Sequence, residues 1–162
     1  MEAYGAGAAS YMGFGGMPTL VAPNCPLTPT PSGYNSKKSI ALWDNGDRMA
    51  TTSGSYERGL KAMKPDAYVA LCDGDTPKDA SNKRLSKAVS QTVKLLDDCL
   101  TNYTLSSHPI LFASVEGGYD LQARRACAKQ VAQRTGVDGY FLDGFHHNHT
   151  DSNRCVISTT GA

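Results

Sequence analysis

Short, almost uninterrupted apolar runs alternate with longer stretches whose apolar residues recur every three or four positions, and this alternation constrains the fold more than any other feature of the chain. Residues 68–72 (Tyr-Val-Ala-Leu-Cys), 109–115 (Pro-Ile-Leu-Phe-Ala-Ser-Val) and 139–142 (Gly-Tyr-Phe-Leu) read as buried strands, and residues 39–43 as an earlier one. Residues 52–64, 80–102 and 120–133 read as helices. In the first, Tyr56, Leu60 and Met63 share a face, Thr52 or Ser53 can cap the start, and Pro65 ends the run. The longest carries Leu85, Ala88, Val89, Thr92, Leu95, Leu96 and Cys99 as a stripe, with Lys78, Lys83, Arg84, Lys87 and Lys94 outside. The last sets Leu121, Ala128 and Val131 inward and Arg124, Arg125, Lys129 and Arg134 outward, with Gly136 as its C-terminal cap. Continuous apolar strands separated by amphipathic helices predict an α/β fold, with a parallel sheet covered by helices. The expectation is a partial (β/α)₈ barrel, because 162 residues fall short of the roughly 250 that a whole one needs.

The flanks do not follow this pattern. Residues 1–38 read as a small N-terminal helix and an irregular connector, Gly-rich at first and then holding Pro18, Pro23, Pro26, Pro29 and Pro31. Asp44-Asn45-Gly46 between residues 39–43 and Arg48-Met49-Ala50 is a hairpin signal. Residues 39–145 are the expected barrel section, and residues 146–162 a divergent, disordered tail.

Charge and cysteines narrow the function classes. A net charge of +1 gives no general field for a polyanion, which argues against a dedicated nucleic-acid module. No apolar run approaches the roughly 20 residues needed to span a membrane, and the N-terminus does not read as a signal peptide. Cys25, Cys72, Cys99, Cys127 and Cys155 are odd in number and form no CxxC pair, so they read as scattered reduced thiols.

Three successive strands end alike. Cys72 leads into Asp73-Gly74, Val115 into Glu116-Gly117-Gly118, and Leu142 into Asp143-Gly144. Each sets a carboxylate before glycine at the carboxyl end of a strand, the edge where parallel α/β folds bind ligands. Carboxylates there can accept hydrogen bonds from the N–H groups of a heterocycle, and glycine allows a flat ligand close to the backbone. One Asp-Gly pair is an ordinary turn; three in register favour a rim facing a small planar base. No GxxxxGKS or GxGxxG phosphate loop accompanies them.

At these residues the chain resembles the tRNA-guanine transglycosylase family, and in particular its non-catalytic, accessory branch in eukaryotes. The similarity lies in residues 49–66, Cys72-Asp73-Gly74-Asp75, residues 82–89, residues 95–100, Val115-Glu116-Gly117-Gly118 and residues 139–145, with residues 12–18 and 32–43 leading in. It spans roughly residues 2–147. The resemblance implies a barrel subunit that pairs with a catalytic queuine tRNA-ribosyltransferase chain and supports guanine-to-queuine exchange at the tRNA wobble position. It implies base-pocket positions at Asp73, Glu116, Gly117, Gly118, Asp143 and Gly144, with no catalytic residue among them. Glu116 stands where catalytic members carry glutamine, and Asp143 where they carry glycine. An amide donates and accepts, whereas an ionised carboxylate only accepts, so the pocket chemistry is altered. The resemblance further implies zinc in full-length members, held by three cysteines and a histidine absent from this chain, which is expected to lack the first and last barrel sections. A cytoplasmic setting is implied too, peripheral to the mitochondrial outer membrane through the complex.

The residues also admit two other classes. One is a catalytic barrel glycosyltransferase or lyase using Asp73, Glu116 and Asp143; the other is a metal-binding barrel unrelated to tRNA, whose acidic rim would take magnesium or calcium. His146, His147 and His149, with Asp151 and Cys155, could offer metal ligands but read as a solvated tail. Cys72 reads as a buried strand cysteine rather than a nucleophile, since the adjacent carboxylate disfavours a thiolate. Lys83, Arg84, Lys87, Arg124 and Arg125 read as a solvated helix face rather than phosphate contacts.

Overall fold

The computed structural model describes residues 5–24, 31–44, 46–103, 105 and 108–143. A four-stranded parallel sheet forms its frame, built from β1 (Leu20–Val21), β4 (Ala67–Val69), β5 (Ile110–Val115) and β6 (Gly139–Leu142) in that spatial order. Strands adjacent in the sheet are consecutive in the alternating part of the chain. Helix α2 (Ser53–Met63) precedes β4, α3 (Asn82–Asn102) joins β4 to β5, and α4 (Leu121–Ala132) joins β5 to β6. A short helix, α1 (Ala8–Tyr11), lies before β1.

Two placements differ from expectation. Residues 18–38 were expected to be irregular, yet Leu20 and Val21 pair in parallel with Ala67 and Tyr68. The side chain of Asp66 accepts from Thr19 N at 2.7 Å, and Ala67 N donates to Thr19 O at 3.0 Å, which pins this strand at its start. Two residues between Pro18 and Pro23 carry too little periodicity to be read as a strand. Conversely, residues 39–43, expected to open the parallel series, form β2 (Ile40–Asp44), which pairs antiparallel with β3 (Asp47–Thr51) in a separate two-stranded sheet. The expected hairpin is there, with Gly46 at φ +90°; Asn45 lies outside the described residues.

Caps fix the helices. Thr52 and Ser55 form a reciprocal capping box at α2, and Lys64 closes that helix in the left-handed conformation just before Pro65. Ser81 caps α3 and Asp120 caps α4 through their side chains. Gln133 is the C-terminal cap of α4, so the expected role of Gly136 moves to a turn three residues later, where it adopts φ +89°. The core joins Tyr56 and Leu60 of α2, Val89, Val93, Leu96 and Cys99 of α3, and Cys127 and Val131 of α4 to Tyr68, Leu71, Leu111, Ala113 and Val115. Burying a side chain of this kind stabilises by about 1.5–3 kcal/mol, and α3 contributes the largest share of them.

Arg124 departs most from the expected pattern. It was placed on the outer face of α4 but is 1 % exposed. It lies three and seven residues before Cys127 and Val131, so it extends the buried stripe of α4 by one turn. Among the described residues no helix is long and apolar enough to cross a membrane.

Candidate functional site

The ladder between β4 and β5 ends with Ala70 N donating to Phe112 O at 2.9 Å, and the chain then runs on without strand pairing. This shortens the expected strand at residues 68–72 and frees Cys72, Asp73 and Gly74 to be held by side chains. Asp73 N donates to Thr92 Oγ1 of α3 at 3.0 Å. Ser114 Oγ reaches Ala70 O at 3.4 Å.

The three carboxylates do not act as one rim. Asp73 is fully buried and taken up by Arg84, whose Nη1 and Nη2 donate to it at 2.9 and 2.6 Å. Asn35 Nδ2 adds a third bond at 2.7 Å. Arg84 also binds Asp75 Oδ1 at 2.8 Å, and Asp75 Oδ2 accepts from Gly33 N at 3.1 Å. Burial pulls the Arg84 guanidinium down, but its bonds to Asp73 and Asp75 outweigh this and hold it above its ordinary value. Arg84 is therefore a clamp between the loop after β4 and residues 33–35, not part of a solvated helix face.

Glu116 and Asp143 converge instead with Cys72. Ligand atoms of these three residues lie within 4.8 Å of one another, and all three residues are buried. The Cys72 thiol donates to Asp143 Oδ2 at 3.3 Å. Neither oxygen of Glu116 has a hydrogen-bond partner. Burial, then the neighbouring Asp143, pushes the Glu116 carboxyl well above its ordinary range, against the pull of Arg124. Burial raises the Cys72 thiol, and Glu116 and Asp143 raise it further, in keeping with the expected unreactive cysteine.

The glycines have close neighbours of their own. A Cβ on Gly74 would lie 3.1 Å from Asp143 Oδ2 and 3.2 Å from Glu116 Oε1, so the two carboxylates bracket its bare backbone. Gly117 adopts φ +139° and passes so near the first turn of α4 that a Cβ would lie 2.5 Å from Arg124 N. A Cβ on Gly118, which adopts φ +56°, would lie 3.3 Å from Thr76. The close approaches that Gly117 and Gly118 permit are thus to the protein itself. Gly144 and the histidines of the tail lie outside the described residues.

Sequence reasoning missed the part that holds the rim together. Arg124 Nε donates to Gly118 O at 2.7 Å, Nη1 to Val115 O at 2.8 Å and Nη2 to Asp143 O at 2.6 Å. One side chain thus ties the end of β5, the loop after it and the end of β6. Burial lowers its guanidinium, while Glu116 and Asp143 raise it. Its register with Cys127 and Val131 was the available signal. Of the other basic candidates, Lys83, Lys87 and Arg125 are exposed.

The zinc site implied by the resemblance needs three cysteines and a histidine. Among the described residues only Cys72, Glu116 and Asp143 bring three potential ligands together. Cys99 pairs instead with the Tyr68 hydroxyl at 3.2 Å, and Cys127 Sγ accepts from Glu116 N at 3.3 Å. The described residues do not fit that ligand set.

The sequence that builds this sheet and its strand ends matches a known family. A family model described as queuine tRNA-ribosyltransferase matches residues 23–160, and the chain belongs to that family. Within it, the chain is 41% identical over 148 residues to a protein of Ixodes scapularis named queuine tRNA-ribosyltransferase accessory subunit 2, covering 90% of this chain and 37% of that protein. It is 36% identical over 158 residues to the Xenopus tropicalis protein of the same name (92% and 38%), and 33% identical over 130 residues to the human one (77% and 31%). The chain spans little more than a third of the length of these curated relatives.

Proposed function

We propose that this chain is a non-catalytic accessory partner of a catalytic queuine tRNA-ribosyltransferase chain, and that it supports the exchange of guanine for queuine in tRNA. The names of its relatives support the accessory role. The observation that carries the non-catalytic reading is the fate of the rim. Asp73 is locked to Arg84, and Glu116 and Asp143 close over Gly74, where a planar base would need open backbone. Asp73, Glu116, Gly117, Gly118, Asp143 and Gly144 are on this reading the remnant of a base pocket, of which Asp73, Glu116, Gly118 and Asp143 now bind the segments after the strands to α3 and α4. The four parallel strands and their helices are then the central part of a (β/α)₈ barrel, a reading supported by the consecutive order of the strands. The catalytic chain would supply the chemistry, and tRNA would be met through the pair, in the cytoplasm and at the mitochondrial outer membrane.

Co-expression with a catalytic queuine tRNA-ribosyltransferase chain tests this. Capture on a tag carried by one chain should recover both, and exchange of labelled guanine in tRNA should exceed that of the catalytic chain alone. This chain by itself should exchange none. Turnover by the isolated chain would overturn the non-catalytic reading, and failure to co-purify would overturn the partnership.

A further inference from the structure

Cys72, Glu116 and Asp143 meet in the interior from the segments that follow β4, β5 and β6, and the role just proposed makes no use of Cys72. We propose that they form a buried site for one divalent cation of the zinc type, independent of any partner chain and alongside the accessory role.

The geometry fits such an ion. A tetrahedral zinc with Zn–S of about 2.3 Å and Zn–O of about 2.0 Å sets sulfur and oxygen ligands roughly 3.5 Å apart. Cys72 Sγ and Asp143 Oδ2 stand 3.3 Å apart, and the whole triad of ligand atoms falls within 4.8 Å. Glu116 supplies an independent sign. It is fully buried, aimed at the other two residues, and neither of its oxygens has a hydrogen-bond partner. A buried carboxyl without partners calls for an ion or a solvent molecule in the space it faces. Both carboxylates lie against Gly74, where a Cβ would stand 3.1 and 3.2 Å from their oxygens and crowd the site.

The donor set selects the metal. Magnesium and calcium seek six or more oxygens, whereas a thiolate with two carboxylates suits a borderline-soft ion. Without Cys72, the acidic rim alone would suit magnesium or calcium, the alternative considered for it. Charge agrees, because a dication with one thiolate and two carboxylates leaves a single negative charge that the Arg124 guanidinium balances. Arg124 also holds the carbonyls of Val115 and Asp143 and so fixes the backbone beside both carboxylate ligands, the support that metal ligands need from their surroundings. On binding, the thiol proton that Cys72 now donates to Asp143 and the carboxyl proton of Glu116 leave to solvent, and one metal–sulfur and two metal–oxygen bonds form. Three protein ligands leave the fourth position open to a water molecule.

The test is titration of the chelator-treated 162-residue chain with Co²⁺, followed by displacement with Zn²⁺. One equivalent should bind at micromolar concentration and give the near-ultraviolet absorption of a thiolate–Co(II) bond. Cys72→Ser should abolish that band, and Glu116→Gln, close to isosteric, should weaken binding at least tenfold while the far-ultraviolet circular dichroism is kept. Cys99→Ser should leave both unchanged. Retention of the same band and stoichiometry in Cys72→Ser, or wild-type affinity in Glu116→Gln, would overturn the site. Failure of the wild-type chain to bind either ion at micromolar concentration would do the same. Co-purification with a catalytic chain is read separately, so one proposal can fail without the other.

Discussion

Replacing Arg124 by methionine should be the most damaging single change at the strand ends. The two side chains are similar in length, so the core keeps most of its packing and the loss is polar. Three buried carbonyls, of Val115, Gly118 and Asp143, lose their donors at once. An unsatisfied buried acceptor costs about 1–3 kcal/mol, and such costs do not simply add. The loss of one partner from a buried charged network is about 3–5 kcal/mol, and this is the expected size here. Against a domain stability of about 5–15 kcal/mol it removes a large fraction. In urea, with a slope of about 2 kcal/mol per molar, a loss of about 4 kcal/mol moves the midpoint down by about 2 M. Arg124→Lys should fall between, since an ammonium keeps the charge but not the planar fork that serves three carbonyls. The assay is urea unfolding followed by circular dichroism. A midpoint shift below about 0.5 M for Arg124→Met would refute the reasoning, because it would mean the carbonyls find other partners or were never closed to water.

Further outcomes follow from neighbouring contacts. Arg84→Met leaves the buried Asp73 with Asn35 as its side-chain partner and should cost about 2–3 kcal/mol, less than a fully buried pair because Arg84 is part-exposed; hydrogen exchange should also speed up at residues 33–36. Gly117→Ala, whose new Cβ would fall 2.5 Å from Arg124 N, should destabilise by more than about 3 kcal/mol, whereas Gly54→Ala in α2, with nothing within 4 Å, should stabilise by up to about 1 kcal/mol; thermal melts of the two variants should move in opposite directions. Burial pushes the thiols of Cys99 and Cys127 up to about 11, so both stay protonated at pH 8 and should resist alkylation there until denaturant is added. Mass spectrometry of iodoacetamide-treated protein reads this, and rapid labelling of either in the native state would contradict their burial.

The sequence disclosed what depends on repetition. Leu85, Ala88, Val89, Leu96 and Cys99 recur at helical spacing and are buried in α3, and the apolar runs at residues 110–115 and 139–142 are strands. It also disclosed that carboxylates follow the strands, since Asp73, Glu116 and Asp143 are all buried in the segments beyond β4, β5 and β6. It did not disclose which of them meet. Asp73 leaves the group because Arg84, eleven residues on, reaches back from the first turn of α3, and nothing in a local pattern marks that pairing. Leu20 and Val21 were unreadable for a different reason: a strand of two residues is defined by its partner, here Ala67 and Tyr68, and not by its own composition.

Arg124 shows how a rule of thumb misleads at a site. Arginine on a helix is placed outward by default because burying its charge is costly. Here the cost is offset by three carbonyl oxygens at 2.6–2.8 Å and by two carboxylates that act on the same guanidinium. Those carboxylates need a buried cation as much as the arginine needs acceptors. Without Arg124, Glu116 and Asp143 would face each other with no positive charge from α4, and the ends of β5 and β6 would lose the link between them. The departures at Glu116 and Asp143 from the residues expected in catalytic members are therefore best understood together with Arg124. Strand ends can accumulate buried charge, provided the charge is held by something that also holds the fold.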